Sequence, residues 1–178
     1  LPIEAALMAL DVAPGLLHAD AFGFLRWRGH QPEVWSRLLD EARERDGRGK
    51  RSLPPMVGYD LEPGAIGASI ANARRAGFGG LIHFERRELA ECEPVGKVAG
   101  VMVVNPPYGE RLGEVTALKR LYRRIGDVLK QRFKGWTGFV LTGNLELSKS
   151  VGLRAARRHV LFNGAIECRL LEIPIAEA

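Results

Sequence analysis

Residues 105–108, Asn105-Pro106-Pro107-Tyr108, set a side-chain amide, two prolines and a phenol in consecutive positions. The prolines have no N–H, so the peptide groups here offer acceptors without competing donors, and the Asn105 side-chain oxygen adds another. Such a set suits a planar NH₂ group with two hydrogens to donate. Acceptors on those hydrogens localise the nitrogen lone pair, which in an aromatic amine is delocalised and weakly nucleophilic, and so prepare it to attack an electrophile. Tyr108 can stack on the ring that carries the amine. A strand ending in a plain proline-rich turn would carry the same four residues, so the elements around them have to decide.

Residues 98–104 form a β-branched, nearly uninterrupted apolar run, expected of a strand covered on both faces in a parallel sheet. The run must stop at Asn105, because Pro106 and Pro107 cannot join a ladder and each restricts the residue before it to extended conformations. Asn105 therefore stands at a strand's carboxyl end, where open α/β sheets bind ligands. Helices are expected over residues 2–13, with Ile3, Leu7 and Leu10 at helical spacing and Pro14-Gly15 as the stop, and over 32–45, with Val34, Leu38 and Ala42 on one side. A short buried strand over 55–60 leads into a helix over 61–77, with Ile66, Ile70 and Ala73 inward and Gly77 as its stop. A strand over 80–85 follows. The clearest helix covers 116–134, with Leu118, Leu121, Tyr122, Ile125, Val128, Leu129 and Phe133 on its apolar side. Beyond it come a strand over 138–142, a short helix or turn over 144–151, and a hairpin of 158–162 with 166–175 around Asn163-Gly164. Strands alternating with helices predict an α/β fold with a mostly parallel, doubly wound sheet ending in an antiparallel hairpin.

At 178 residues and 46% hydrophobic content, a single globular domain with a true core is expected. The net charge of +5 favours a polyanionic partner. The face of the 116–134 helix bearing Lys119, Arg120, Arg123, Arg124, Lys130, Arg132 and Lys134 against Asp127 is either solvated or RNA-facing, and the polar loop 43–51 poses the same choice. Phe22, Phe24, Trp27 and Trp35 read as local core. Cys92 and Cys168 lie far apart, as in a reducing compartment, and both read as buried apolar residues. No apolar run reaches a membrane span and no charged-then-apolar leader is present, so a cytoplasmic protein is expected. His18, His30, His83 and His159 have no spacing that suggests a ligand set or a triad.

Asp60 closes the strand over 55–60. An acid there can accept hydrogen bonds from ribose hydroxyls, but the glycine-rich turn that makes such an acid recognisable does not precede it, and a helix cap for the residues after it fits the pattern equally.

The run Asn105-Pro106-Pro107-Tyr108 resembles the motif of S-adenosylmethionine-dependent methyltransferases that act on exocyclic amines of nucleic-acid bases. With its extension to Leu112, and with residues 3–9 (Ile-Glu-Ala-Ala-Leu-Met-Ala) and 11–15 (Asp-Val-Ala-Pro-Gly), nearly the whole chain resembles the THUMP-associated class I guanine-N2-methyltransferases of bacterial large-subunit ribosomal RNA. The resemblance implies a class I, Rossmann-like fold and methyl transfer from S-adenosylmethionine, without a metal, to the N2 amine of a guanine in 23S ribosomal RNA. It implies Asn105, Pro106 and Tyr108 as catalytic residues and Asn105, Pro106, Pro107 and Tyr108 as the substrate site. Asp60 would hold the cofactor ribose and Leu61 would lie on the adenine. Glu88 would take the adenine amino group where the family has an Asp, one methylene shorter, and Asn105 would sit between cofactor and substrate. A paired base would have to be extruded to reach Asn105. An adenine-N6 methyltransferase on DNA or RNA would use the same four residues, and a non-catalytic RNA-binding module would keep the same fold.

The family's first strand and cofactor glycine loop belong before Leu1, its THUMP domain lies further upstream, and some members carry a second methyltransferase module downstream. Residues 1–178 therefore read as one methyltransferase catalytic domain truncated at its N-terminus. The chain alone is expected to bind S-adenosylmethionine weakly or not at all; micromolar binding in calorimetry would contradict this.

Overall fold

A computed structural model describes residues 1–49, 52–96, 98–109 and 115–177. Lys50 and Arg51 of the predicted polar loop, and Glu110, Arg111 and Leu112 of the extended motif, lie outside the described residues. The chain forms two compact units, Leu1–Arg86 and Arg87–Ala178.

The first unit contains helix α1 (Pro2–Ala9), 3-10 turns at Leu16–Ala21 and Gly23–Arg26, helix α2 (Pro32–Arg45), strand β1 (Val57–Asp60), helix α3 (Pro63–Arg75) and strand β2 (His83–Arg86). β1 and β2 pair in parallel, Val57 opposite His83 and Asp60 opposite Arg86. Ala6, Leu7, Leu10, Val12, Ala73, Ala76, Phe78 and Ile82 form the core. α1 ends four residues before the predicted Ala13. Asp11 turns left-handed (φ 54), its N–H bonds the Met8 carbonyl, and Val12 N–H reaches back to Leu7 O at 2.8 Å, which closes the helix as a Schellman motif. Arg45 at the end of α2 grips the Asp11 carboxylate at 2.9 and 3.1 Å and holds that turn. α3 stops at the predicted glycine by the same device, with Gly77 at φ 84 and Phe78 N–H on Ala73 O.

Several apolar side chains of this unit lie nearer solvent than periodicity suggests. Ala73 is buried in α3, but Ile66 is half-buried and Ile70 exposed. α2 buries no residue, so its Val34–Leu38 side is a stripe without cover among the described residues. Phe22, Phe24 and Trp35 do pack together, with centroids 5.0–5.6 Å apart, whereas Trp27, expected beside them, is 72% exposed.

The second unit runs from a 3-10 turn (Leu89–Glu91) through β3 (Val101–Val104), α4 (Val115–Arg132), β4 (Thr137–Thr142), α5 (Leu145–Ser150), β5 (Arg157–Asn163) and β6 (Ile166–Pro174). Its sheet order is β3-β4-β6-β5, with β3 parallel to β4 and β6 antiparallel to both neighbours. The predicted mostly parallel sheet thus appears as a parallel pair in one unit and a mixed four-stranded sheet in the other. α4 buries Tyr122, Ile125, Val128 and Leu129, with Phe133 just beyond it, on the side its periodicity predicts. It approaches β4 closely because Gly138 has no side chain: a Cβ there would meet the Leu129 methyls at 2.8 Å.

The strand expected over 98–104, covered on both faces, is shorter and covered on one. Only Val101–Val104 pairs, Met102 and Val104 are half-buried, and Val101 and Val103 are 61% and 47% exposed. β3 is an edge strand among the described residues, and alternation sends every second valine to the open face. The hairpin turn also shifts by one residue. Asn163 pairs with Ile166, leaving Gly164 and Ala165 to turn, and a positive φ at Gly164 alone (61) is the pattern of a type II′ turn.

α4 meets α5 at backbone contact. A Cβ on Gly126 would lie 1.7 Å from the Val151 carbonyl oxygen, and backbone cannot step aside as a side chain can. Gly126→Ala is therefore expected to destabilise the fold by about 1–3 kcal/mol or more, read as a lowered urea midpoint; an unchanged midpoint would contradict this packing.

Candidate active site

Asn105 follows β3 directly and is exposed, whereas Pro106 behind it is buried. The chain anchors itself through the proline and leaves the amide outside. The Tyr108 hydroxyl turns back to donate to Asn105 Oδ1 at 2.7 Å. Accepting that bond orients the amide and occupies one lone pair of Oδ1, and the second remains for another donor. The ring of Tyr108 rests over Gly143, where a Cβ would come within 3.1 Å of it. Burial raises the Tyr108 pKa, the nearby Cys168 thiol adds to this and the Asn163 side chain opposes it, so the phenol keeps its proton and remains a donor.

Beneath this tip lies a buried polar chain drawn from three elements. Tyr122 of α4 and Thr142 at the end of β4 are both fully buried, and their hydroxyls lie 2.9 Å apart. The Tyr122 hydroxyl also reaches Pro107 O at 3.4 Å. Thr142 Oγ1 accepts from Asn144 N at 3.1 Å. The Asn144 side chain faces two ways: Oδ1 accepts from the N–H groups of Glu146 and Leu147 to cap α5, and Nδ2 donates to Tyr108 O at 3.4 Å. The carbonyls of Pro107 and Tyr108 are thus both held from inside.

A pocket of ≈ 170 Å³ adjoins Asn105 and is lined also by Leu141, Leu161, Phe162, Asn163 and Cys168. β5 runs in the same direction as β4, so the hairpin tip stands beside the carboxyl ends of β3 and β4. Phe162, 68% exposed, offers an aromatic face at the pocket's edge. Phe162, Asn144 and Tyr122 also belong to this site, and no local motif in the sequence marks them. The Asn-Gly turn signal beside Phe162, joined to the sheet order, is what would have found the first.

The expected cofactor residues divide between the units. In the first, Asp60 ends β1 exposed, and its Oδ1 accepts from Glu62 N at 2.9 Å. That local turn replaces the helix cap considered from sequence, because α3 begins at Pro63 with Glu62 at its cap position. Asp60 Oδ2 has no partner among the described residues. Leu61 presents a 52% exposed side chain, and its carbonyl accepts from Arg86 Nε at 3.0 Å, which ties the turn to the end of β2. In the second unit Glu88 is exposed and precedes the 3-10 turn. On α4, Lys119 and Arg132 pair with Glu146 and Glu93, while Arg120, Arg123, Arg124 and Lys130 extend into solvent. Among the described residues no group of three or more His, Cys, Asp or Glu is placed to hold a metal ion, and no helix is long and apolar enough to cross a membrane.

An α/β domain with a polar tip at the carboxyl end of a parallel strand and a terminal antiparallel hairpin is the class I methyltransferase fold. Two solved structures share it: SMU.472 in complex with SAH, with TM-score 0.85 and 27% identity over 99% of this chain and 45% of that one, and a predicted N6-adenine-specific DNA methylase from Listeria monocytogenes, with TM-score 0.80 and 31% identity over 98% and 43%. The UPF0020 family of RMKL-like methyltransferase domains matches residues 1–172, and the chain belongs to that family. Among curated relatives, the ribosomal RNA large subunit methyltransferases K/L of Methylococcus capsulatus and Allochromatium vinosum are 51% and 53% identical over 98% and 97% of this chain. The chain spans 23% and 24% of their lengths.

Burial also raises the Tyr122 pKa, with its Thr142 hydrogen bond opposing and Tyr108 and Cys168 adding. A phenol whose folded-state pKa exceeds its unfolded value contributes fully below the unfolded value, about 10, and loses that contribution as pH rises through the folded value. The urea midpoint is accordingly expected to fall above about pH 10, and less steeply in Tyr122→Phe. Equal slopes in the two proteins would contradict a buried, neutral Tyr122.

Proposed function

We propose that this domain methylates the exocyclic N2 amine of a guanine in 23S ribosomal RNA, with S-adenosylmethionine as the methyl donor. The observation that carries the reading is the exposed Asn105 amide, oriented by the Tyr108 hydroxyl and opening on a small pocket edged by Phe162. The curated relatives are named as ribosomal RNA large subunit methyltransferases, and a solved relative binds SAH. When bound, S-adenosylmethionine supplies an electrophilic sulfonium methyl group. The chemistry of these side chains suits it: the Asp60 oxygen that has no partner among the described residues is an acceptor for ribose hydroxyls, Leu61 an apolar surface for the adenine, and Glu88 an acceptor for the adenine amino group.

The remaining chemistry belongs to Asn105, Pro106, Pro107 and Tyr108. The free lone pair of Asn105 Oδ1 and the Pro106 carbonyl accept the amine hydrogens and aim the nitrogen lone pair. Positioning of this kind supplies most of the rate for an in-line displacement. As the N–CH3 bond forms and the S–CH3 bond breaks, the nitrogen acquires a positive charge, and this acidic cation gives up a proton readily to water, so no strong general base is required. The target base leaves its stack to reach the pocket, with Tyr108 and Phe162 as aromatic surfaces for it. On this reading the chain is a catalytic domain of a longer cytoplasmic enzyme that carries a THUMP domain upstream and, as in some members of the family, a second methyltransferase module downstream.

A second reading, adenine N6 as the target, is favoured by the name of the Listeria relative. Mass spectrometry of ribosomal RNA nucleosides from a gene knockout separates the two by loss of N2-methylguanosine or of N6-methyladenosine. In the full-length protein, Asn105→Ala is expected to lower methyl transfer by about 10²–10³-fold while RNA affinity stays within a few-fold; an active Asn105→Ala enzyme would overturn both readings.

A further inference from the structure

We propose that Asn144 is a positioning residue for the Asn105 tip, coupling the start of α5 to the backbone of Tyr108. This rests on the reading of Asn105 as the amine-binding group. One planar amide makes three bonds here. Its oxygen accepts from the N–H groups of Glu146 and Leu147 at 3.0 and 3.2 Å, as an N-cap does, and this fixes the plane and direction of the group. The nitrogen is thereby turned toward Tyr108 O, 3.4 Å away.

Thr142 Oγ1, itself against the Tyr122 hydroxyl, accepts from the backbone N–H of Asn144. Asn144 is therefore held by its backbone from below, by its side-chain oxygen from α5, and acts with its side-chain nitrogen on the tip. The Tyr108 carbonyl sits on the residue whose hydroxyl orients Asn105, so a shift of that peptide moves the Tyr108–Asn105 bond directly. Tyr122 holds the preceding carbonyl, on Pro107, in parallel. The prolines leave residues 106 and 107 without N–H groups, so the backbone here cannot anchor itself by donating and has to be gripped by its acceptors.

Capping and positioning are separable by chemistry. A carboxylate caps a helix as well as an amide does, and it favours the helix dipole, but it has no hydrogen to donate. Asn144→Asp in the full-length protein should keep the thermal midpoint at or above that of the parent, whereas Asn144→Ala should lower it. Methyl transfer by Asn144→Asp should nevertheless fall roughly 10- to 100-fold in kcat, with KM for S-adenosylmethionine unchanged. Its activity relative to the parent should recover as pH falls and the introduced carboxyl regains a proton to donate. Tyr122→Phe, which keeps the ring and loses the hydroxyl, should lower kcat in the same direction.

Parent-like kcat in Asn144→Asp overturns the proposal, and so does an Asn144→Asp protein as destabilised as Asn144→Ala, because a carboxylate would then not replace the cap. If Asn105→Ala is inactive while Asn144→Asp is fully active, this inference fails alone. If Asn105→Ala is active, the reading of the site beneath it fails first.

Discussion

Two consecutive prolines cannot donate to a β-ladder, and the second unit is arranged around that restriction. β3 pairs with β4 as far as Val104 and then must leave the sheet. Pro106 turns inward and is buried, and Asn105 is left outside. A segment with no N–H groups at two positions has only carbonyls by which the surroundings can hold it. The structure holds two of them, Pro107 O through Tyr122 and Tyr108 O through Asn144, and the side chains that do so are themselves fixed through Thr142. The geometry of the exposed amide is thus set by polar groups in the interior as well as by the loop it sits on.

That arrangement explains why a buried tyrosine and threonine are present in an otherwise apolar layer. Tyr122 and Thr142 are fully buried in a unit whose other fully buried side chains include Ile125, Leu129 and Val140, and an unpaired hydroxyl there would cost about 1–3 kcal/mol. Each hydroxyl is paired, and no buried side-chain N or O among the described residues lacks a hydrogen bond. A satisfied polar network specifies one arrangement of the elements that share it. Here those elements are α4, the end of β4, the start of α5 and the tip after β3, which are the pieces whose register sets the position of the Asn105 amide.

The sequence made some of this legible and hid the rest for physical reasons. The apolar side of α4 follows from one period repeated across five turns, and Asn105-Pro106-Pro107-Tyr108 from local chemistry, so both could be read without knowing what lies next to them. Gly77 marked the end of α3 because a left-handed residue has one preferred occupant. Asp11 ends α1 by the same geometry with a side chain that tolerates it less well, and its support comes from Arg45, thirty-four positions away. The network under the tip was invisible because Tyr122 and Thr142 sit at core positions in their own elements, and Asn144 is only the first residue of a short helix or turn. Their common purpose appears only when β3 and β4 lie side by side. Phe162 was hidden likewise, since its closeness to Asn105 depends on the strand order β3-β4-β6-β5. The open face of β3 has another origin: a β-branched run shows that a strand is apolar and is silent on how many of its faces are covered.

The central claim is that the second lone pair of Asn105 Oδ1 receives a hydrogen of the target amine. The most direct measurement is a crystal structure of the full-length protein with S-adenosylhomocysteine and an RNA hairpin carrying the modified site. An extruded guanine is expected there, with N2 within hydrogen-bond distance of Asn105 Oδ1, the Tyr108 hydroxyl still on the same oxygen, and Phe162 against the base. An extruded base bound elsewhere, with the Asn105 amide turned away from it, would show that Asn105 does not receive the amine.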